Sequence, residues 1–163
     1  MPSNDSSTVS ASDGAAFIAS LTRVLAEWTA PDFLTAVAAR EGVDLDPGAI
    51  TMVTILSHDG PLRPSHIATK MVTGASNISK IAARLSKAGL VERVPDPSDA
   101  RAQRVQLTAA GHQIAEKLVL AGNGVVGDLL NGWPEKDRAE FTRLLARFES
   151  STIMLSNRLG NKA

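Results

Sequence analysis

At 163 residues with 44% hydrophobic content, the chain can bury a real core, either as one compact domain or as a small reading lobe joined to an assembly lobe. It contains no cysteine, which excludes disulfides, thiolate nucleophiles, thiol redox sensing and sulfur-ligated zinc together. Seventeen Lys and Arg balance seventeen Asp and Glu, but the balance is uneven: residues 1–60 carry two cations against eight anions, whereas residues 61–104 carry eight against three, a local excess of +5. A basic segment inside a neutral protein is the form a localised phosphate-binding face takes, because cations that displace condensed counterions supply affinity for DNA.

Residues 1–13 are rich in Ser with almost nothing to bury and are expected to be a disordered tail. No basic run followed by an apolar stretch opens the chain, and no segment reaches the roughly 18 uninterrupted apolar residues of a membrane helix, so a soluble cytoplasmic protein is expected, with no membrane partner. Phe17, Ile18, Leu21, Val24, Leu25 and Trp28 recur at helical spacing, and Pro31 bends or restarts that helix before Phe33, Leu34, Val37 and Ala38 extend its apolar face to about Glu41. Residues 14–46 thus read as an N-terminal helical region. Asp46-Pro47 is a helix start, Asp as cap and Pro in the first turn, and Asp59-Gly60-Pro61 is its end.

A short helix is predicted from Pro64 to about Met71 and a second from about Ala75 to Ala88, with Val72-Thr73-Gly74 between them and Gly89 as a left-handed cap. Two short helices joined by a tight turn form a helix-turn-helix, whose second helix can enter a major groove. Taking Ile78, Ile81, Ala82 and Leu85 as buried leaves Ser76, Asn77, Ser79, Lys80, Ala83 and Arg84 outward, and Ser76, Asn77, Ser79, Lys80 and Arg84 are expected in the major groove. Arg can bond guanine bidentately, Asn can bond adenine, and Ser adapts to bases or phosphate.

Leu90–Val94 favours a strand, residues 95–101 hold the turn chemistry Asp96-Pro97-Ser98-Asp99, and Arg104–Leu107 alternates again. This is a β-hairpin with a basic tip, a wing. Asp99 stands two residues before Arg101, in reach to orient a guanidinium aimed at the focused negative potential of a minor groove. Arg63, Ser65 and Arg104 are expected on phosphates. Thr108 caps a long helix that breaks at Gly132 and Pro134, and a last helix presents Phe141, Leu144, Leu145, Phe148, Ile153 and Leu155. The apolar faces of the first and last helices have no place in so small a reading lobe and fit a second copy of the chain.

From Pro47 to Gly111 the sequence resembles the multiple-antibiotic-resistance regulator (MarR) family. Its wing pattern reads here Asp96-Pro97-Ser98-Asp99-Ala100-Arg101, then Val105, Leu107, Thr108 and Gly111, preceded by Leu85-Ser86-Lys87-Ala88-Gly89-Leu90-Val91-Glu92-Arg93. The resemblance implies a mainly α fold with a small hairpin wing: a winged helix-turn-helix over 47–107, and a linker helix and C-terminal dimerisation helix over 108–163. It further implies a homodimer through the N- and C-terminal helices, a palindromic double-stranded DNA operator, and repression relieved by a small phenolic or other aromatic effector. Two departures stand out. Ala100 replaces the cation often found beside the wing arginine, and Gly74-Ala75 replaces the usual Ser-Pro at the start of the recognition helix, which predicts a modest wing affinity and a weaker cap.

Gly122-Asn123-Gly124-Val125-Val126-Gly127 matches GxGxxG, yet the residues before it are helical in pattern and no βαβ unit surrounds it, so a nucleotide site is not expected. The stretch reads instead as a weakened part of a long helix, a candidate hinge. His58, His66 and His112 match no usual metal spacing, and no cofactor or metal is expected. Trp28 and Phe33 fit core or dimer packing, or the wall of an effector cleft. With no activated Ser, no Cys and no clearly paired acids, an enzyme is not expected. The competing functional class is a winged-helix module that uses the same face for protein contacts; the basic recognition face and Arg101 favour DNA.

Overall fold

The structure, a computed structural model, describes residues 10–160. Most of the expected N-terminal tail, residues 1–9, lies outside them. Residues 11–13, also assigned to the tail, are instead helical: Ser10 Oγ accepts from the backbone N of Asp13 at 3.1 Å and donates to its carboxylate at 2.7 Å, so the Ser-rich stretch ends by supplying a cap. The order of elements is α1 (Ala11–Trp28), α2 (Pro31–Ala39), α3 (Pro47–Asp59), α4 (Pro64–Lys70), α5 (Ala75–Lys87), β1 (Val91–Asp96), β2 (Asp99–Leu107), α6 (Ala109–Leu129) and α7 (Glu135–Gly160). A mainly helical chain with one antiparallel hairpin is the fold class expected from sequence.

Chain contacts divide the molecule into two compact units, residues 1–122 and 123–163, so the division falls inside α6 at the glycine-rich stretch. In the first unit, Pro stands in the opening turn of α2, α3 and α4, where its missing N–H costs nothing. The core is built by α3 (Met52, Val53, Leu56), α4 (Ile67), α5 (Ile78, Ile81, Ala82, Leu85), the hairpin (Val91, Val105, Leu107) and Ala115 of α6. The four α5 positions are those the helical period assigns to the interior. Leu62 joins the hairpin to the α3–α4 connection: its N–H donates to Val105 O at 3.0 Å and its carbonyl accepts from Val105 N at 2.8 Å.

The Leu107-Thr108-x-x-Gly111 pattern has a steric explanation. Thr108 Oγ1 donates to Gly89 O at 2.6 Å and accepts from Gly111 N at 3.1 Å, while Thr108 N donates to Leu90 O at 3.1 Å. One threonine therefore caps α6 and ties it to the end of α5, where Gly89 sits at φ +72 as the expected left-handed cap. A Cβ on Gly111 would lie 2.0 Å from Leu90 O, so only glycine admits this approach.

In the second unit α7 has no buried residue, and Leu144, Leu145, Ile153, Met154 and Leu155 are exposed. Trp133 and Phe141 meet edge to face at 5.7 Å. In the first unit, Ile18, Val24 and Leu25 of α1 are likewise exposed, and Trp28 packs on Phe33 at 5.9 Å. Gly122–Gly127 lies inside α6, with helix on both sides of it and β2 ending at Leu107, unlike a dinucleotide-binding turn, in which a strand leads directly into the glycines.

Candidate nucleic-acid interface

Helix α5 presents the expected outward set: Ser76, Asn77, Ser79, Lys80, Ala83 and Arg84 are all exposed. Its N-cap, Gly74, makes no side-chain bond, as its replacement of Ser predicts. Asn77 Nδ2 donates to Thr73 Oγ1 at 3.1 Å and Ser79 Oγ to Ala75 O at 3.0 Å, so both side chains are folded back on the first turn. Ser65 is exposed on α4. Between the two helices Val72 adopts φ +49, a left-handed conformation unusual for a β-branched residue, and is 92% exposed.

The wing departs from the sequence expectation in length and in the role of its charges. The strands run to Asp96 and from Asp99, leaving a turn far tighter than residues 95–101. Asp96 is the reason. Its Oδ1 accepts from Ser98 N at 2.9 Å and Ser98 Oγ at 2.6 Å, closing the turn, and its Oδ2 accepts from Arg63 Nε at 2.7 Å and Arg104 Nε at 2.8 Å. The Asp96 side chain is fully buried, whereas the two arginines are about one-third exposed. Hydrogen bonds from Arg63, then Arg104 and Ser98, hold its carboxyl far below the usual carboxylate range, and the same contact raises the Arg63 guanidinium.

Arg63 and Arg104, expected as phosphate contacts, thus share a buried carboxylate. Two cations against one anion leave the cluster with a net charge of +1, and each guanidinium stays partly open to solvent. Arg63 also lies at the N-cap of α4, so the cluster fastens the wing to the helix-turn-helix. Sequence reading missed Asp96 as a functional residue, because its main partner is 33 positions away.

Pro95 pairs with Gln103 and Asp96 with Asp99, so Ala100, Arg101 and Ala102 form a bulge with no partners on β1. Arg101 is exposed on this bulge, and among the described residues no carboxylate pairs with its guanidinium. Asp99 does not orient that guanidinium, as the spacing suggested; its Oδ1 accepts from the backbone N of Arg101 at 3.0 Å and shapes the bulge instead. Arg84 Nη2 meets Asp46 Oδ2 at 2.8 Å, a contact also not foreseen.

A winged helix-turn-helix with this wing is matched by the family model described as "MarR family" over residues 45–102. Over that segment the chain is similar to the MarR family. Among curated proteins, the chain is 34% identical over 76 residues to the HTH-type transcriptional repressor IacR of Pseudomonas putida, covering 47% of this chain and 46% of IacR. It is 34% identical over 68 residues to the HTH-type transcriptional regulator PapX of Escherichia coli, covering 42% of each. The matches thus span about half the length of these relatives, which are transcriptional regulators by name. Two solved structures share the fold of this chain: a MarR family protein from Bacillus stearothermophilus (TM-score 0.71, 19% identity, 88% of this chain and 99% of that one) and wild-type MarR of E. coli in its apo form (TM-score 0.65, 18% identity, 82% and 94%).

Among the described residues, no group of three His, Asp or Glu side chains could hold a metal ion, and no helix is long and apolar enough to cross a membrane.

Proposed function

We propose that this chain is a sequence-specific double-stranded DNA-binding transcriptional regulator that acts as a homodimer on a palindromic operator, most simply as a repressor. The observation that carries the reading is Arg101, lifted out of the wing ladder by a three-residue bulge while Asp96 fastens that wing to the recognition unit. In this reading α5 enters the major groove with Ser76, Asn77, Ser79, Lys80 and Arg84, the last of them near enough to the groove edge to meet a phosphate; Arg101 enters the adjacent minor groove with Asp99 shaping its loop, and Arg63, Ser65 and Arg104 contact phosphates. The exposed apolar residues of α1 and α7 meet a second copy.

Such a dimer sets two recognition helices in successive major grooves about 34–36 Å apart and blocks polymerase by occlusion. A small aromatic effector that binds better to a dimer of different lobe spacing shifts the population off DNA. The glycine-rich stretch of α6 is the hinge in this scheme, since each internal Gly weakens a helix by about 0.5–1 kcal/mol relative to Ala. Sequencing of genomic fragments retained by the purified protein tests the proposal: a two-fold-symmetric motif with half-sites about one helical turn apart supports it, and retention without a shared motif contradicts it.

A further inference from the structure

Arg84 and Lys80 lie one turn apart on the exposed face of α5, but their surroundings differ. Lys80 has no carboxylate partner among the described residues. Arg84 Nη2 is 2.8 Å from Asp46 Oδ2, and both side chains are about half exposed. Asp46 is occupied on its other side as well: Oδ1 accepts from Ala49 N at 3.2 Å and caps α3. The carboxylate is therefore pinned by the helix it caps and holds out its second oxygen to the recognition helix.

Base edges are read chiefly from the N-terminal part of a recognition helix. Arg84, in the last turn of α5, stands beyond that part, and in the DNA-bound form proposed above it would lie near the edge of the groove, within reach of the phosphate backbone. A guanidinium can serve a carboxylate or a phosphate with the same N–H groups. We infer that Asp46 is an intramolecular competitor for Arg84, a fixed anion occupying the guanidinium that a DNA phosphate would otherwise take, and so limits affinity for DNA of any sequence. This rests on the DNA-binding function proposed above. Because the pair is exposed, its grip is weak enough for phosphate to displace it and strong enough to register.

Asp46→Asn is the discriminating variant, since Asn caps a helix as well as Asp does and only the charge is lost. The variant of the whole 163-residue chain is titrated with a mixed-sequence duplex of about 40 base pairs, long enough for two half-sites. The expected result is affinity raised about three- to fivefold at low salt. The log–log salt dependence should steepen by about 0.9, one more phosphate contact. Arg84→Ala in the Asp46→Asn background should remove both gains. Equal or weaker binding by Asp46→Asn, with the wild type binding normally and both thermal midpoints alike, overturns the inference and leaves the DNA-binding function standing. Absence of salt-dependent binding by the wild type itself overturns both.

Discussion

Arg63 and Arg104, 41 positions apart in the chain, donate through their Nε atoms to the same oxygen of Asp96 at 2.7 and 2.8 Å. This three-residue latch joins the first turn of α4 to the wing and makes the hairpin's position a property of the helix-turn-helix. Asp96→Ala should therefore release the wing without unfolding the helical core: amide exchange over 91–107 should quicken while α3 and α5 stay protected. DNA affinity should fall roughly tenfold as Arg101 loses its fixed position. Unchanged exchange in the hairpin would show that the latch does not hold it.

The latch also sets a pH dependence. The Asp96 carboxyl is depressed in the folded state, so it adds stability that is fully present above its unfolded value of about 3.9 and is lost as pH falls below that toward the folded value. The stability difference between wild type and Asp96→Asn should be constant from about pH 6 to 8 and shrink below about pH 4. Paired urea titrations across that range measure it.

Gly111 reverses an ordinary rule. Replacing a helical Gly by Ala usually stabilises, by up to about 1 kcal/mol. Here the added methyl meets Leu90 O at 2.0 Å, and the backbone must shift. Gly111→Ala should instead destabilise the fold by about 1–3 kcal/mol, read as a lower urea midpoint at unchanged slope.

Val72 is the converse case. A β-branched residue held at φ +49 with its side chain in solvent bears strain and gains no burial in return. Val72→Gly should raise stability by about 0.5–1 kcal/mol and the thermal midpoint by a few degrees. A fall in the midpoint would mean that the Val side chain contributes packing not evident from its exposure.

The apolar residues of α7 supply a test of assembly. Leu144→Glu or Leu155→Glu places a charge on a face that has no buried residue within the chain. If that face meets a second copy, light scattering should report a dimer for the wild type and a monomer for the variants, with helix content retained.

How far the sequence was legible follows the range of each interaction. Helix starts at Pro47 and Pro64, the left-handed cap at Gly89 and the outward face from Ser76 to Arg84 rest on contacts within one or two turns, and the helical period and cap chemistry reveal them. The Asp96 latch and the Arg84–Asp46 pair join residues 33 and 38 positions apart, and no local pattern marks them. Asp99 sat between these cases. Its spacing from Arg101 was informative, but the choice between the guanidinium and the backbone N–H depends on the bulge, which the Asp96–Ser98 turn creates.

If the wing and α5 form one DNA-binding surface, titration of wild type and Arg101→Ala with the fragment upstream of the protein's own gene, and with a scrambled duplex, across a salt series will reveal it. The wild type should prefer the native fragment and lose affinity steeply with salt. Arg101→Ala should bind roughly tenfold more weakly at unchanged thermal midpoint. A flat salt dependence, or equal affinity of the wild type for both duplexes, would contradict it.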